Sequence, residues 1–466
     1  MVFSSLEFLF YFFPIVFIGY LLIKPKLGNI WLLCASLVFY YLGASEYLDL
    51  LLSIILIAYF SGILQDKIRK ACVKKAILII SVFIMLLVMI YYKYWNSLYF
   101  NLSIFFDIKY RNVVLPIGIS FFIFQAISYV VDVYRGEKPL KNPIDMGLYI
   151  SFFPQLIAGP IVRFHDISTF FDTKYRSVSL ERVSEGVWRF ALGLCKKVLL
   201  ANNLGGLANL VFGVENITQY SVLYTWLGAL AYTLQIYYDF SGYSDMAIGL
   251  GKVFGFEFQE NFNYPYFAGT IKEFWRRWHI SLSQFFRDYV YIPLGGNRCT
   301  MSRWLVNILV VWFSTGLWHG SSWNYIIWGL SYGVLLLLER FAIDKLPQNL
   351  GIKIIRRILT IVMVMILWVI FRCEHMPTAI VFLKNMFGIS GSSLIDNAFR
   401  FQLKNFALLI SISCILALPI KDMISAKVKE SIFYKSIITI GLMVAVFSSI
   451  SYIYMGSYNP FLYFMF

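Results

Sequence analysis

From Trp304 to Leu338 the chain runs 35 residues without an Asp, Glu, Lys or Arg. No other feature narrows the fold so far. At about 1.5 Å per residue, one straight helix of that length would greatly exceed a ~30 Å hydrocarbon core. The stretch must therefore bend, and Gly320-Ser321-Ser322 is the natural break. A helical hairpin and a kinked pair of helices both satisfy this pattern.

The rest of the chain is built of the same material. Of its 466 residues 59% are hydrophobic, 19% aromatic and 14% charged, and the mean hydropathy is +0.71. Soluble domains carry about 25% charged residues. The apolar residues recur as long blocks, the pattern of membrane spans rather than of one large core. No polar segment is long enough to fold separately. Residues 1–466 therefore read as a single integral-membrane domain, all-α and polytopic.

Four spans come first: Phe8 to Ile23, Ile30 to Leu42, Tyr47 to Leu64 and Ala76 to Tyr92. Lys24 and Lys26 follow the first, and Lys67, Arg69, Lys70, Lys74 and Lys75 follow the third. Both basic loops belong in the cytoplasm by the positive-inside rule, which puts the N-terminus outside. Further spans are predicted at Leu115 to Tyr134, Met146 to Ile161, Glu185 to Val211, Val222 to Tyr238, Ile354 to Phe371, Phe401 to Ile420 and Phe433 to Tyr454. With the uncharged stretch, the expectation is roughly ten to thirteen transmembrane or re-entrant helices. Glu7 interrupts the N-terminal run, no basic region precedes it, and the apolar stretch continues as a span rather than as a cleavable signal.

The formal charge of +15 reflects bases in short cytoplasmic loops. No basic stripe sits on a soluble face, so nucleic-acid binding is not indicated. The six cysteines (34, 72, 195, 299, 373 and 414) form no Cys-x-x-Cys pair and no Cys/His cluster, so neither a disulfide framework nor a metal site is expected.

Between Phe274 and Arg298, Trp275, Trp278, Leu282, Phe285, Phe286 and Tyr289 recur at helical spacing, with Arg276, Arg277, Ser283, Gln284 and Arg287 on the other side. The pattern predicts a basic, Trp-rich amphipathic helix in the cytoplasmic membrane interface. It suits a plain lipid anchor, and its basic face also suits the phosphates of coenzyme A. His279 falls on the shoulder between the two faces. His319 is the one near-neutral titratable group of the uncharged stretch. An ionisable residue there is a functional candidate by default, although a core histidine bonded to a backbone carbonyl gives the same pattern. Apolar surroundings disfavour imidazolium and keep the ring able to accept a proton. Asp132, Gln155, Gln235, Asp239 and Asp245 are the other polar groups within apolar sequence, with Gly242 expected to break the segment holding the last two. The buried carboxylates need partners, and Arg and His elsewhere in the bundle are the obvious ones. His165 and His375 read as loop residues and receive no role.

Seven stretches together resemble the membrane-bound O-acyltransferase family, in its alginate O-acetylase type. They are Met1-Val-Phe-Ser-Ser, Leu115-Pro-Ile-Gly-Ile-Ser-Phe running on to Tyr129-Val-Val-Asp-Val-Tyr-Arg, Phe153-Pro-Gln-Leu-Ile-Ala-Gly-Pro-Ile-Val-Arg163, Tyr238-Asp-Phe-Ser-Gly-Tyr-Ser-Asp245, Phe274-Trp-Arg-Arg-Trp-His279, Gly295-Gly-Asn-Arg298 and Thr315-Gly-Leu-Trp-His-Gly320. The Arg-Arg-Trp-His and Trp-His-Gly elements, whose histidines lie 40 residues apart, are specific as a pair. The resemblance implies a helix bundle with a central funnel. It puts His319 at the family's catalytic histidine and His279 at its second functional polar position. It also implies a cytoplasmic acyl-thioester donor, an extracytoplasmic acyltransferase partner and a polysaccharide acceptor.

The expected reaction is transfer of acetyl from acetyl-CoA in a bacterial cytoplasmic (inner) membrane. Arg276, Arg277 and Arg287 would hold the donor phosphates, His319 would act as base, and His279 would position the donor or stabilise developing charge. No metal is required. The alternatives are D-alanyl transfer to teichoic acid and a non-enzymatic polysaccharide exporter.

Overall fold

A computed structural model describes residues 1–24, 27–103, 112–157, 159–172, 174, 176, 178–343, 349–420, 428 and 431–456. Lys26 of the first basic loop and Ala158 of the Phe153–Arg163 motif lie outside these. Every regular element among the described residues is helical. Among the described residues, five stretches are long and apolar enough to cross a membrane: Gly28–Lys67, Ala71–Tyr99, Leu350–Arg372, Asn397–Leu416 and Ile432–Tyr454. Their outward faces are apolar; in Ile432–Tyr454, Phe433 and Phe447 are 75% and 71% exposed, while the buried positions are Leu442 and Ser449. Such a surface is stable only against lipid.

The chain forms two compact units, each with its own interior. The first comprises residues 1–191, 243–260 and 287–289. It opens with a π turn (Phe8–Phe12), α1 (Phe13–Leu22), α2 (Gly28–Ala44), α3 (Leu48–Lys67), α4 (Ala71–Leu102) and α5 (Ile119–Arg135). Tyr47 donates to the Val114 carbonyl at one end of α3, and Tyr59 donates to that of Lys141 towards the other. Helices α3 and α5 therefore run parallel, and Arg135 lies at the same end as the Lys67–Lys75 loop. The predicted span Met146 to Ile161 is not one helix. It forms α6 (Pro143–Ser151) and the single turn α7 (Phe153–Leu156), because Phe152 turns out of the helix (φ −54°, ψ 113°) and Pro154 has no N–H to continue it. The turn α8 (Phe164–Ile167) follows.

The second unit comprises residues 192–242, 261–286 and 290–466. Its first elements are the end of α9 (Leu180–Cys195), continued by a π segment (Lys196–Ala201) into α10 (Asn202–Phe212), and the first part of α11 (Val222–Val253). Gly242 does not break α11. A Cβ there would come within 2.8 Å of the Gly193 carbonyl, so the glycine lets backbone meet backbone. Within the first unit, a Cβ on Gly249 would likewise come within 2.5 Å of the Gly186 carbonyl. With lipid outside, such close small-residue packing replaces the hydrophobic effect as the source of helix association.

The remaining α-helices among the described residues are α12 (Ile271–Arg277), α13 (Ile280–Phe286), α14 (Met301–His319), α15 (Trp323–Phe341), α16 (Leu350–Arg372), α17 (Met376–Met386), α18 (Asn397–Leu416) and α19 (Ile432–Tyr454). The uncharged stretch is a helical hairpin. Helices α14 and α15 are antiparallel, with Gly316 against the Tyr325 carbonyl and Gly329 against that of Trp312. Asn324, at the start of α15, donates to the carbonyls of Ile370 (3.2 Å) and Cys373 (2.7 Å) at the end of α16. The bases therefore separate from the polar end of these helices. Arg298, Arg303, Arg340, Lys353, Arg356 and Arg357 lie at one end, while His319, Asn324 and Arg372 lie at the other.

Candidate functional site

The predicted amphipathic helix is in fact two short helices with a sharp break between them. Helix α12 begins at a cap legible in Thr270-x-x-Glu273: the Thr270 hydroxyl accepts from Glu273 N (3.0 Å), and the Glu273 carboxylate accepts from Gly269 N (2.8 Å). Buried Glu339, at the basic end of α15, accepts from Ile271 N at 2.6 Å and so fixes where α12 starts. The helix ends at Trp278, which is extended, and His279 adopts φ 43° before α13 resumes. Left-handed backbone costs a side-chain-bearing residue about 1–2 kcal/mol, so the surroundings must enforce it.

Asn261 does much of that. Its backbone carbonyl accepts from Ile280 N (3.0 Å), and Asn263 N donates to the Arg277 carbonyl (2.9 Å), so residues 261–263 run along the break. The Asn261 side-chain oxygen accepts from Ser281 N (3.2 Å), Ser281 Oγ (2.9 Å) and His279 Nδ1 (3.2 Å). A backbone N–H can only donate, so the amide orientation is settled. His279 Nδ1 must then carry a proton, and in the neutral ring Nε2 carries the lone pair.

His279 is 1% exposed and His319 4%. Trp318 lies between them, its ring 5.9 Å from that of His279 and 4.9 Å from that of His319. Phe240 meets His279 edge-on at 4.6 Å. Trp328 and Phe371 meet His319 edge-on at 5.0 and 5.1 Å, with Tyr325 at 6.5 Å. The two histidines predicted from sequence thus share one aromatic compartment. Trp275 and Trp278 do not anchor the chain in an interface; both are buried, Trp275 against Trp312 (4.7 Å) and Trp278 against Trp368 (4.9 Å).

The predicted arginines diverge. Arg276 is exposed, beside exposed Lys272, and makes no ion pair among the described residues. Arg277 is bound to Glu273 at 2.9 Å and to the Asn263 carbonyl at 3.1 Å. Arg287 is bound to Asp288 at 2.6 and 2.9 Å and belongs to the first unit, whereas both histidines belong to the second.

Each intramembrane carboxylate has a partner. Asp239 accepts from Lys197 at 2.5 Å, both groups at most 3% exposed. Asp245 accepts from Arg189 at 2.7 and 3.0 Å. Asp132 accepts from Tyr289 Oη (2.9 Å) and from His165 Nδ1 (2.9 Å). His165 is therefore more than a loop residue: Nε2 also lies 3.2 Å from Asp166. Both ring nitrogens face carboxylates, and hydrogen bonding to Asp132 and then Asp166 pushes its pKa up to about 9. Buried Arg163 continues the network to Asp166 (2.7 Å) and Asp288 (2.5 Å).

A family model described as the membrane-bound O-acyltransferase family matches residues 131–376. A protein named as the probable alginate O-acetylase of Azotobacter vinelandii is 42% identical over 85% of this chain and 80% of its own. The chain belongs to the membrane-bound O-acyltransferase family. The probable alginate O-acetylase of Pseudomonas putida is 38% identical over the full length of both chains. The peptidoglycan O-acetyltransferase of Helicobacter pylori is 34% identical over 84% of this chain and 81% of its own. More distant is the teichoic acid D-alanyltransferase of Bacillus subtilis, 29% identical over 50% of this chain and 60% of its own. The protein is an acyltransferase of the membrane, and the exporter reading falls away. The compartment around Trp318 holds two imidazoles, 1% and 4% exposed, in largely aromatic surroundings.

Proposed function

We propose that this O-acyltransferase moves an acetyl group from cytoplasmic acetyl-CoA across a bacterial inner membrane, for O-acetylation of a cell-envelope polysaccharide. The observation that carries the reading is the breadth of the likeness. Relatives named for O-acetyl transfer to alginate and peptidoglycan match over more than four-fifths of the chain, whereas the D-alanyltransferase of Bacillus subtilis matches over 50%.

The basic end of α14, α15 and α16 faces the cytoplasm by the positive-inside rule, and the N-terminus faces outward. Helix α12 leads from that end towards Trp318. Exposed Arg276, with Lys272 beside it, is the cation best placed for donor phosphates; Arg277 and Arg287 are already held by carboxylates. His319 takes the proton of the acceptor hydroxyl as its oxygen attacks the thioester carbonyl. Collapse of the tetrahedral adduct breaks the C–S bond, and the coenzyme leaves as the thiol once that proton is returned. His279, its tautomer set by Asn261, steadies charge on the carbonyl oxygen or orients the donor. The acceptor is the sugar itself or an extracytoplasmic acyltransferase partner that passes the acetyl on.

Membranes holding the full chain, supplied separately with radiolabelled acetyl-CoA and with D-alanyl carrier protein, test the reading. Acetyl label should reach the glycan or partner, and transfer from the carrier alone would replace it with the teichoic-acid reading. For topology, a cysteine placed at Ser45 should react with an impermeant thiol reagent in intact cells and one at Lys70 should not; the opposite labelling reverses the orientation.

A further inference from the structure

Both imidazoles of the compartment are buried, so the structure shows the site shut. Something must move before an acceptor hydroxyl can meet His319, and water must not follow it in. Of the four rings described around His319, those of Trp318, Trp328 and Phe371 are buried, and Tyr325 is half-buried and reaches the surface. The Tyr325 ring lies 6.5 Å from that of His319 and 4.9 Å from that of Phe371. This end of the α14–α15 hairpin is largely polar. Ser321, Glu374 and His375 are exposed, and Ser322 Oγ donates to the Glu374 carbonyl at 3.3 Å. Tyr325 therefore stands between His319 and water.

Two glycines of α14 and its end seat this residue. A Cβ on Gly316 would come within 2.4 Å of the Tyr325 carbonyl and 3.0 Å of Ile326 Cα, so the Tyr325 backbone is pressed against α14. Tyr325 N donates to the Ser322 carbonyl (3.1 Å), and the preceding Asn324 is tied to α16 by its two hydrogen bonds. The backbone is held from both sides. The ring is seated differently. It lies on Gly320, where a Cβ would come within 2.6 Å of both Cδ2 and Cε2 of Tyr325. Gly320 itself is extended (φ 171°, ψ 176°), a conformation any residue adopts, so glycine is needed there for space. The residue next to His319 thus reserves the place that the Tyr325 ring fills. A ring on a fixed backbone, with one part at the surface, moves by turning between side-chain rotamers, and no loop has to open.

We propose that Tyr325 is a shutter on the acceptor side: seated on Gly320 it closes His319 off from water, and it turns aside for a bound acceptor. It is a specificity-determining residue, selecting a bound hydroxyl over water. The reaction it suppresses is hydrolysis, in which water attacks the thioester carbonyl, the C–S bond breaks, and acetate and the protonated thiol leave. Exclusion of water from a closed site prevents such side reactions. An acceptor offsets the cost of displacing the ring with its own contacts, whereas water makes too few to do so. The inference rests on the proposed transfer chemistry at His319.

Two measurements on the full chain test it. The first needs no substrate. His319→Cys in permeabilised membranes is treated with a small methanethiosulfonate, and modification at position 319 is followed by mass spectrometry. A minor open state is populated at about 0.1–10%, so fixing it open should speed labelling at least about 10-fold. Tyr325→Ala and Gly320→Ala, each combined with His319→Cys, should show that increase, while Tyr325→Phe, which keeps the ring, should not. Gly320→Ala is the more telling, because it leaves Tyr325 in the chain and takes only its seat. Half-buried Cys299, at the opposite end of α14, should label at the wild-type rate throughout, which separates an opened shutter from a loosened fold. Equal labelling at 319 with and without the Tyr325 ring overturns the proposal, and so does equal acceleration at 319 and 299 in both variants. The second measurement supplies the same membranes, with His319 intact, with radiolabelled acetyl-CoA, and counts free acetate apart from acetyl bound to glycan or protein. Tyr325→Ala and Gly320→Ala should raise the ratio of acetate to bound acetyl at least about 10-fold, with Tyr325→Phe near wild type. An unchanged ratio, with both products lost alike, overturns the shutter. If the wild-type protein forms neither product from acetyl-CoA, the donor reading falls, and the labelling result decides the role of Tyr325 without it.

Discussion

Asn261 offers the sharpest check on how the compartment is built. Its side-chain oxygen is the shared acceptor for Ser281 N, Ser281 Oγ and His279 Nδ1, at 2.9–3.2 Å and in a buried setting. Asn261→Ala strips all three donors at once. Each buried donor left without an acceptor costs about 1–3 kcal/mol, and contributions from neighbours do not add fully, so a loss of about 2–4 kcal/mol is expected. Some of that loss is recovered because His279 no longer has to hold φ 43°. Turnover should fall further than stability explains, because His279 loses both its tautomer and its aim; a misplacement of about 1 Å can cost ~10²-fold. The assay is acyl transfer in membranes at matched protein levels for Asn261→Ala, His279→Ala and the double variant. If Asn261 acts through His279, the second substitution adds little to the first. Asn261→Asp keeps the acceptor and should retain more activity than Asn261→Ala. Equal fractional losses from Asn261→Ala in the wild-type and His279→Ala backgrounds would refute the coupling.

His319→Ala should remain inserted and abundant yet lose about 10²–10⁴ in transfer rate, and wild-type-like turnover would remove it from the mechanism. His279→Asn should outperform His279→Ala, because an amide can still hydrogen-bond and Asn tolerates the left-handed backbone at this position; parity of the two would count against a positioning role. The His165 imidazolium, with a folded pKa of about 9 against the ordinary 6.5, stabilises the first unit fully below about pH 6.5 and loses that contribution as pH rises through 9. Thermal midpoints between pH 6 and 10 should therefore fall across that window in the wild-type protein and flatten in His165→Gln.

How much of this was legible depends on which signal carried it. The long helices were, because α2, α3, α16, α18 and α19 are uniform apolar runs with bases or turn residues at their ends. The hairpin was legible as a bend at Gly320, while its antiparallel closure came from Gly316 and Gly329, whose packing partners no one-dimensional pattern reveals. Gly242 misled for the same reason: a glycine that admits a neighbouring backbone looks, in sequence, like one that ends a helix. His319 was singled out by its isolation and His279 by resemblance, and the structure brings both rings against Trp318. Asn261 and Lys197 were not singled out in this way, since what marks each is a partner remote in sequence (His279 and Asp239 respectively). The cap at Thr270-x-x-Glu273 was available in the sequence and would have fixed the start of α12.

The amphipathic pattern from Trp275 to Tyr289 failed for a reason that bears on function. A helical period predicts one continuous rod with its tryptophans facing lipid. The protein instead breaks the rod at Trp278–His279, turns both tryptophans inward, and lets residues 261–263 supply the hydrogen bonds the helix gives up. His319 sits at another break, the last residue of α14 before the extended Gly320, and Lys197 lies in a π segment, a further departure from regular helix. A continuous α-helix inside a membrane satisfies its own backbone and presents side chains only at fixed angles. Bringing two imidazoles from different helices around one indole needs angles that an unbroken helix does not offer. The broken backbone costs stability and is held by side-chain hydrogen bonds such as those of Asn261 and Asn324, so the places where the helical pattern fails are those where the proposed mechanism puts its chemistry.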